Sequence, residues 1–85
     1  MKVCVIGCGY IGLITAACLA ELGHEVICCD VNKERIETLK NGETPIHEPG
    51  LENLIKKHTK KKKEKLFFSH HTEEAVEYSE IIFIC

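Results

Sequence analysis

Gly7, Gly9 and Gly12, followed by Asp30, are the residues whose types and spacing could do chemistry. The glycines stand as Gly7-x-Gly9-x-x-Gly12 directly after the apolar run Val3 to Ile6 and directly before a helical pattern. Strand, glycine turn and helix in that order are the context in which this spacing carries information. Gly7 would permit a tight turn off the strand. Gly9, lacking a side chain, would let a pyrophosphate approach the backbone, and Gly12 would let the helix pack close to the strand. The helix start would add free N–H groups and the positive end of a dipole. A glycine-rich turn without a ligand is the competing reading.

Asp30 weighs against that alternative. It closes a second apolar run, Val26-Ile27-Cys28-Cys29, at the distance of about 20 residues where a ribose-binding acid is expected. A carboxylate there accepts hydrogen bonds from ribose hydroxyls and repels a 2′-phosphate, which favours NAD over NADP. Lys33 and Arg35 follow closely and keep NADP open. A turn residue at a strand end is the simpler role for Asp30.

The elements that must position these residues are legible along the chain. Lys2 to Ile6 reads as a first strand, apolar on successive residues as in a parallel strand covered on both faces. Tyr10 to Leu22 reads as a helix ended by Gly23, with Ile11, Ile14, Cys18, Leu19 and Leu22 facing the sheet. Glu25 to Asp30 is a second strand. Asn32 caps a second helix that carries Ile36 and Leu39 inward and ends at Asn41-Gly42. Pro49 opens a third helix with the stripe Leu51, Leu54 and Ile55, running to about Lys57. Leu66 to Ser69 is a third strand. Thr72 caps a short helix with Glu73 and Glu74 in its first turn, and Ile81 to Cys85 is a fourth strand. Strands separated by helical segments give an α/β fold: a Rossmann-type parallel sheet with helices on both faces, first half only, in strand order 3-2-1-4.

Composition narrows the function. The 85 residues allow one small domain, and the formal net charge of -2 implies no obligate polyanionic partner. None of the six cysteines has paired metal-ligand spacing, and the α/β pattern points to a reducing, cytoplasmic setting. The apolar start is broken by Gly7, so neither a signal peptide nor a membrane span is expected. Seven lysines between Lys56 and Lys65 read as a solvated connection rather than a nucleic-acid patch, because no aromatic residue interleaves them. His70-His71 lack a metal-spaced partner and read as a surface turn. The ending on an apolar strand suggests residues 1–85 are the truncated N-terminal part of a dinucleotide-binding domain, with the remainder and a substrate domain absent.

The wider wording resembles the UDP-glucose dehydrogenase family, within the UDP-glucose/GDP-mannose dehydrogenases. The resemblance lies in Val5-Ile6-Gly7-Cys8-Gly9-Tyr10-Ile11-Gly12-Leu13, in Cys18 to Val26, in Asp30-Val31-Asn32, and most specifically in Pro45-Ile46-His47-Glu48-Pro49-Gly50-Leu51. It covers essentially the whole chain. His47 departs from the tyrosine common in the family, Cys8 from a small residue such as Thr, Ala or Leu, and the lysine run is denser than typical. The resemblance implies two-step oxidation of a nucleotide sugar, UDP-glucose to UDP-glucuronate, with reduction of two NAD, in a homo-oligomer. The family's catalytic cysteine lies later in its chain, so no catalytic residue is assigned here. What carries over is cofactor binding: Gly7, Gly9 and Gly12 as the phosphate turn, the backbone of Tyr10 and Ile11 beside the pyrophosphate, Asp30 on the ribose and Arg35 near the adenosine. A stand-alone NAD-binding module, or a dehydrogenase for UDP-N-acetylmannosamine or GDP-mannose, are the alternatives. A basic nucleic-acid-binding domain is disfavoured by the glycine turn and Asp30.

Overall fold

The structure is a computed structural model, and it describes residues 1–44, 48–59 and 64–85. In chain order the elements are β1 (Lys2–Ile6), α1 (Tyr10–Glu21), β2 (Glu25–Cys29), α2 (Lys33–Lys40), α3 (Leu51–His58), β3 (Leu66–Ser69), α4 (Thr72–Tyr78) and β4 (Ile81–Ile84). The strands form one sheet in the order β3-β2-β1-β4 with every neighbour parallel, as the sequence leads one to expect. The lysines at 60–63 and the Pro45-Ile46-His47 part of the loop motif lie outside the described residues.

Helices cover both faces unequally. On one face α1, α2 and α3 bury Leu13, Ile36, Leu39 and Ile55 against Val3, Val5, Val26, Cys28, Leu66 and Phe68. Each of those large helical side chains, fully withdrawn from water, contributes about 1.5–3 kcal/mol. On the other face α4 presents Ala75 and Val76 to a smaller cluster around Cys4 and Cys29. β4 stands at the sheet edge with Ile81, Ile82 and Phe83 partly exposed.

The inward face of α1 differs from the expected one. Gly12, Leu13, Ala16, Ala17 and Ala20 are buried, whereas Ile11, Cys18 and Leu22 are exposed, and Ile14 and Leu19 are half-buried. Apolar residues surround this helix, so periodicity cannot choose a side. Close approach chooses it: a Cβ added at Gly12 would lie 1.7 Å from the Gly7 carbonyl oxygen. Only the side carrying glycine and alanines fits that near to the strands.

Two helix starts also shift. Gly50, at φ 83°, is the N-cap of α3, so Pro49 precedes the cap and Leu51 is the first helical residue. His71 occupies the N-cap of α4, making Thr72 its first helical residue rather than its cap. Elsewhere the local chemistry matches. The Asn32 side chain accepts a hydrogen bond from the Arg35 N–H at 3.1 Å, and Gly23 takes φ 101° just past α1.

Candidate cofactor site

The site sits where β1 and β2 end. Gly7 N–H donates to the Cys29 carbonyl at 2.7 Å, tying the turn to the neighbouring strand. Gly7 itself takes φ 106°, a conformation that favours glycine, and an added Cβ would lie 2.6 Å from the Cys85 carbonyl oxygen. Gly12 is required by its contact with Gly7.

Gly9 is different. It takes φ -77° and ψ -162°, which any residue can adopt, and an added Cβ would meet nothing within 4 Å. The fold therefore gives no reason for glycine at this position. A cradle that a methyl group would fill is what a phosphate lying against the backbone requires. Gly9 also caps α1 without a side-chain hydrogen bond, and helix geometry leaves the first N–H groups without intrahelical partners. Tyr10 and Ile11, which carry two of those groups, are exposed. Turn and helix start together fit a pyrophosphate.

Asp30 lies beside the turn. Its Oδ2 accepts from the Cys8 N–H at 3.0 Å and from Arg35 Nη1 at 3.2 Å, and its Oδ1 accepts from the Asn32 N–H at 3.0 Å. Burial pushes the carboxyl up, but the N–H donors of Asn32 and Cys8 and the Arg35 guanidinium outweigh it, holding Asp30 below the usual carboxylate range. With three of about four acceptor positions taken, Oδ1 retains capacity for a hydroxyl donor. Arg35 is 41 % exposed, so its pairing is worth about 0–1 kcal/mol and yields readily to a ligand. The structure thus brings together Gly7, Gly9, Tyr10, Ile11, Gly12, Asp30 and Arg35.

Two further contacts escape sequence reasoning. The Tyr10 phenol donates to the Glu48 carboxylate, joining the start of α1 to the loop before α3. That hydrogen bond holds the phenol above its ordinary range. Cys8 Sγ lies 2.8 Å from Cys28 Sγ. No local pattern pairs residues so distant in the chain; a residue on the glycine turn and one on the adjacent strand could have suggested the second. The rings of His70 and His71 lie 4.1 Å apart between centroids, tilted by 38°, just past β3. Among the described residues no three His, Cys, Asp or Glu side chains gather as metal ligands would, and no helix is long and apolar enough to cross a membrane.

Known proteins resemble this chain in sequence and in fold. Residues 1–85 match the NAD binding domain of the UDP-glucose/GDP-mannose dehydrogenase family. The UDP-glucose 6-dehydrogenase TuaD of Bacillus subtilis is 43% identical over 83 residues, covering 98% of this chain and 18% of the relative. A UDP-N-acetyl-D-mannosamine dehydrogenase of Methanococcus maripaludis is 58% identical over 55 residues, covering 65% of this chain and 13% of the relative. A crystal structure of a ternary complex of GDP-mannose dehydrogenase from Pseudomonas aeruginosa superimposes with a TM-score of 0.92 at 38% identity, covering 100% of this chain and 19% of that one. The chain therefore spans under a fifth of the length of these relatives.

Proposed function

We propose a role that proceeds from family membership: the chain belongs to the UDP-glucose/GDP-mannose dehydrogenase family, within its NAD binding domain, and it holds the adenosine and pyrophosphate half of NAD for the oxidation of UDP-glucose to UDP-glucuronate. The observation that carries this reading is Gly9, a glycine that the fold does not need and an approaching phosphate does. Gly7 and Gly12 shape the turn, and the N–H groups of Tyr10 and Ile11 face the pyrophosphate. Asp30, held ionised, accepts from the adenosine ribose and repels a 2′-phosphate. Arg35 keeps Asp30 oriented and lies near the adenosine. When bound, NAD accepts a hydride from the sugar alcohol.

In this reading residues 1–85 are the first half of the dinucleotide-binding domain. The nicotinamide side, the sugar site, the catalytic residues and the homo-oligomer contacts come from other segments of a longer, cytoplasmic protein. UDP-glucose is favoured by the match with UDP-glucose 6-dehydrogenases across nearly the whole chain. UDP-N-acetylmannosamine is the second reading, favoured by the higher identity over a shorter stretch. The test is NADH formation by the full-length protein with UDP-glucose, UDP-N-acetylmannosamine and GDP-mannose in turn. Turnover is expected with UDP-glucose, and no NADH from any of the three would overturn the reading.

A further inference from the structure

We propose that Cys8 and Cys28 form a disulfide when the protein meets a peroxide, and that this bond pulls the glycine turn out of its NAD-holding geometry. The cross-link stands on the fold alone; its effect on NAD rests on the function proposed above.

The two sulfurs lie 2.8 Å apart and both residues are fully buried. A disulfide needs them at about 2.0 Å, so they close by about 0.8 Å. Partner choice is set by the strand. Successive side chains on β2 point to opposite faces. Cys28 therefore joins Cys8 in the larger core, while Cys29 joins Cys4 in the smaller one, with those sulfurs 3.9 Å apart. Cys8 and Cys29 lie on different sides of the sheet.

The chemistry balances in two steps. Cys8, beside exposed Gly9 and Tyr10, attacks the peroxide; the O–O bond breaks, giving a sulfenic acid and one water. The Cys28 sulfur then attacks the sulfenic sulfur, the S–S bond forms and a second water leaves. Two thiols lose two electrons and two protons, and hydrogen peroxide is reduced to two waters. Contact with Cys8, together with burial, holds the Cys28 thiol well above its ordinary range. The reaction therefore proceeds slowly, through transient opening of the turn.

Side-chain rotation takes up part of the closure, and what remains falls on the turn rather than on the strand. Cys28 is paired with Val5 of β1 and Phe68 of β3, so β2 is fixed on both sides. Gly12 packs against the Gly7 carbonyl, so the far end of the turn has no room either. The displacement falls on Cys8 and Gly9, where Cys8 N–H meets Asp30 and where a phosphate would lie.

The experiment uses the full-length protein, reduced, freed of reductant and treated with hydrogen peroxide. Alkylation, digestion and mass spectrometry should find a Cys8–Cys28 linked peptide pair lighter by two hydrogens. Calorimetric titration should show NAD affinity several-fold weaker, restored by dithiothreitol. C28S, with C28A as a second variant, should bind NAD normally and lose both the cross-link and the peroxide response. Irreversibly oxidised Cys8 without a cross-link, or Cys8 linked to another cysteine, would overturn the proposal. A cross-link with unchanged NAD affinity would overturn its second half. Absence of NAD binding by the reduced protein would sink the NAD reading and that second half with it, while the cross-link would still be read from mass.

Discussion

Replacing Gly9 by alanine separates what the fold needs from what the ligand needs. The new methyl group meets no atom within 4 Å, and φ -77° is open to alanine, so no strain arises. Two small effects oppose each other. Alanine narrows the unfolded ensemble, which stabilises by about 0.4–1 kcal/mol. Alanine is also a poorer N-cap than glycine, which costs about 1 kcal/mol. The net change in stability is therefore within about 1 kcal/mol of zero. Binding responds differently, because the methyl group occupies the approach to the backbone. Loss of one hydrogen bond between a backbone N–H and a phosphate oxygen costs about 1.5–3 kcal/mol. That corresponds to an NAD Kd raised about 10- to 150-fold. The assay pairs urea denaturation with calorimetric titration of NAD into the full-length protein. Wild-type affinity in Gly9→Ala would refute the reasoning, as would a loss of several kcal/mol of stability.

Gly12→Ala should behave oppositely in the first measurement: its Cβ meets the Gly7 carbonyl, so unfolding midpoints should fall by the equivalent of about 3 kcal/mol or more, along with NAD binding. Asp30→Ala should narrow the preference for NAD over NADP in parallel titrations, because it removes both the ribose acceptor and the repulsion of a 2′-phosphate; equal binding of the two cofactors by the wild type would count against the assignment. The Asp30 carboxyl is held low, so its contribution to stability is present above the unfolded pKa of about 3.9 and is lost as pH falls through the lower folded value. The stability difference between wild type and Asp30→Asn should therefore be flat from pH 7 to about pH 5 and shrink below about pH 4, measured by denaturation at each pH.

The strands were legible because each is a short apolar run flanked by glycine or by charged or polar residues, such as Gly7, Asp30, Lys65 and Glu80, and the parallel order follows from the helices between them. The three glycines were singled out because their spacing is local, and Asp30 because one strand–helix–strand unit fixes its distance from them. The inward side of α1 was not: its apolar residues surround it, and the deciding contact, Gly12 on Gly7, is one of backbone distance rather than hydrophobicity. Pro49 and Thr72 suggested helix starts that Gly50 and His71 in fact cap, since a favourable residue type marks a neighbourhood rather than a position. The grip of Cys8 N–H on Asp30, the Tyr10–Glu48 bond and the Cys8–Cys28 contact join residues 20 to 38 positions apart, and only the folded register brings them together.

Because β1, β2 and β3 run in the same direction, their ends sort by chemistry. Gly7, Asp30 and Ser69 gather at one rim, where Asp30 N–H donates to the Ser69 carbonyl at 3.2 Å. The chain enters its strands at the opposite rim, where Glu25 N–H meets the Met1 carbonyl, Val26 N–H meets that of Lys65 and Glu80 N–H meets that of Lys2. Length is therefore cheap at one rim and costly at the other. Doubling a loop that feeds a strand adds only about 0.6 kcal/mol of closure entropy and leaves the glycine turn untouched. A single residue inserted between Ile6 and Tyr10 would instead put Gly7, Gly9 and Gly12 out of step with the contacts that each one makes or leaves open. Affinity tags, fluorescent inserts and natural length variation belong at the strand-entry rim.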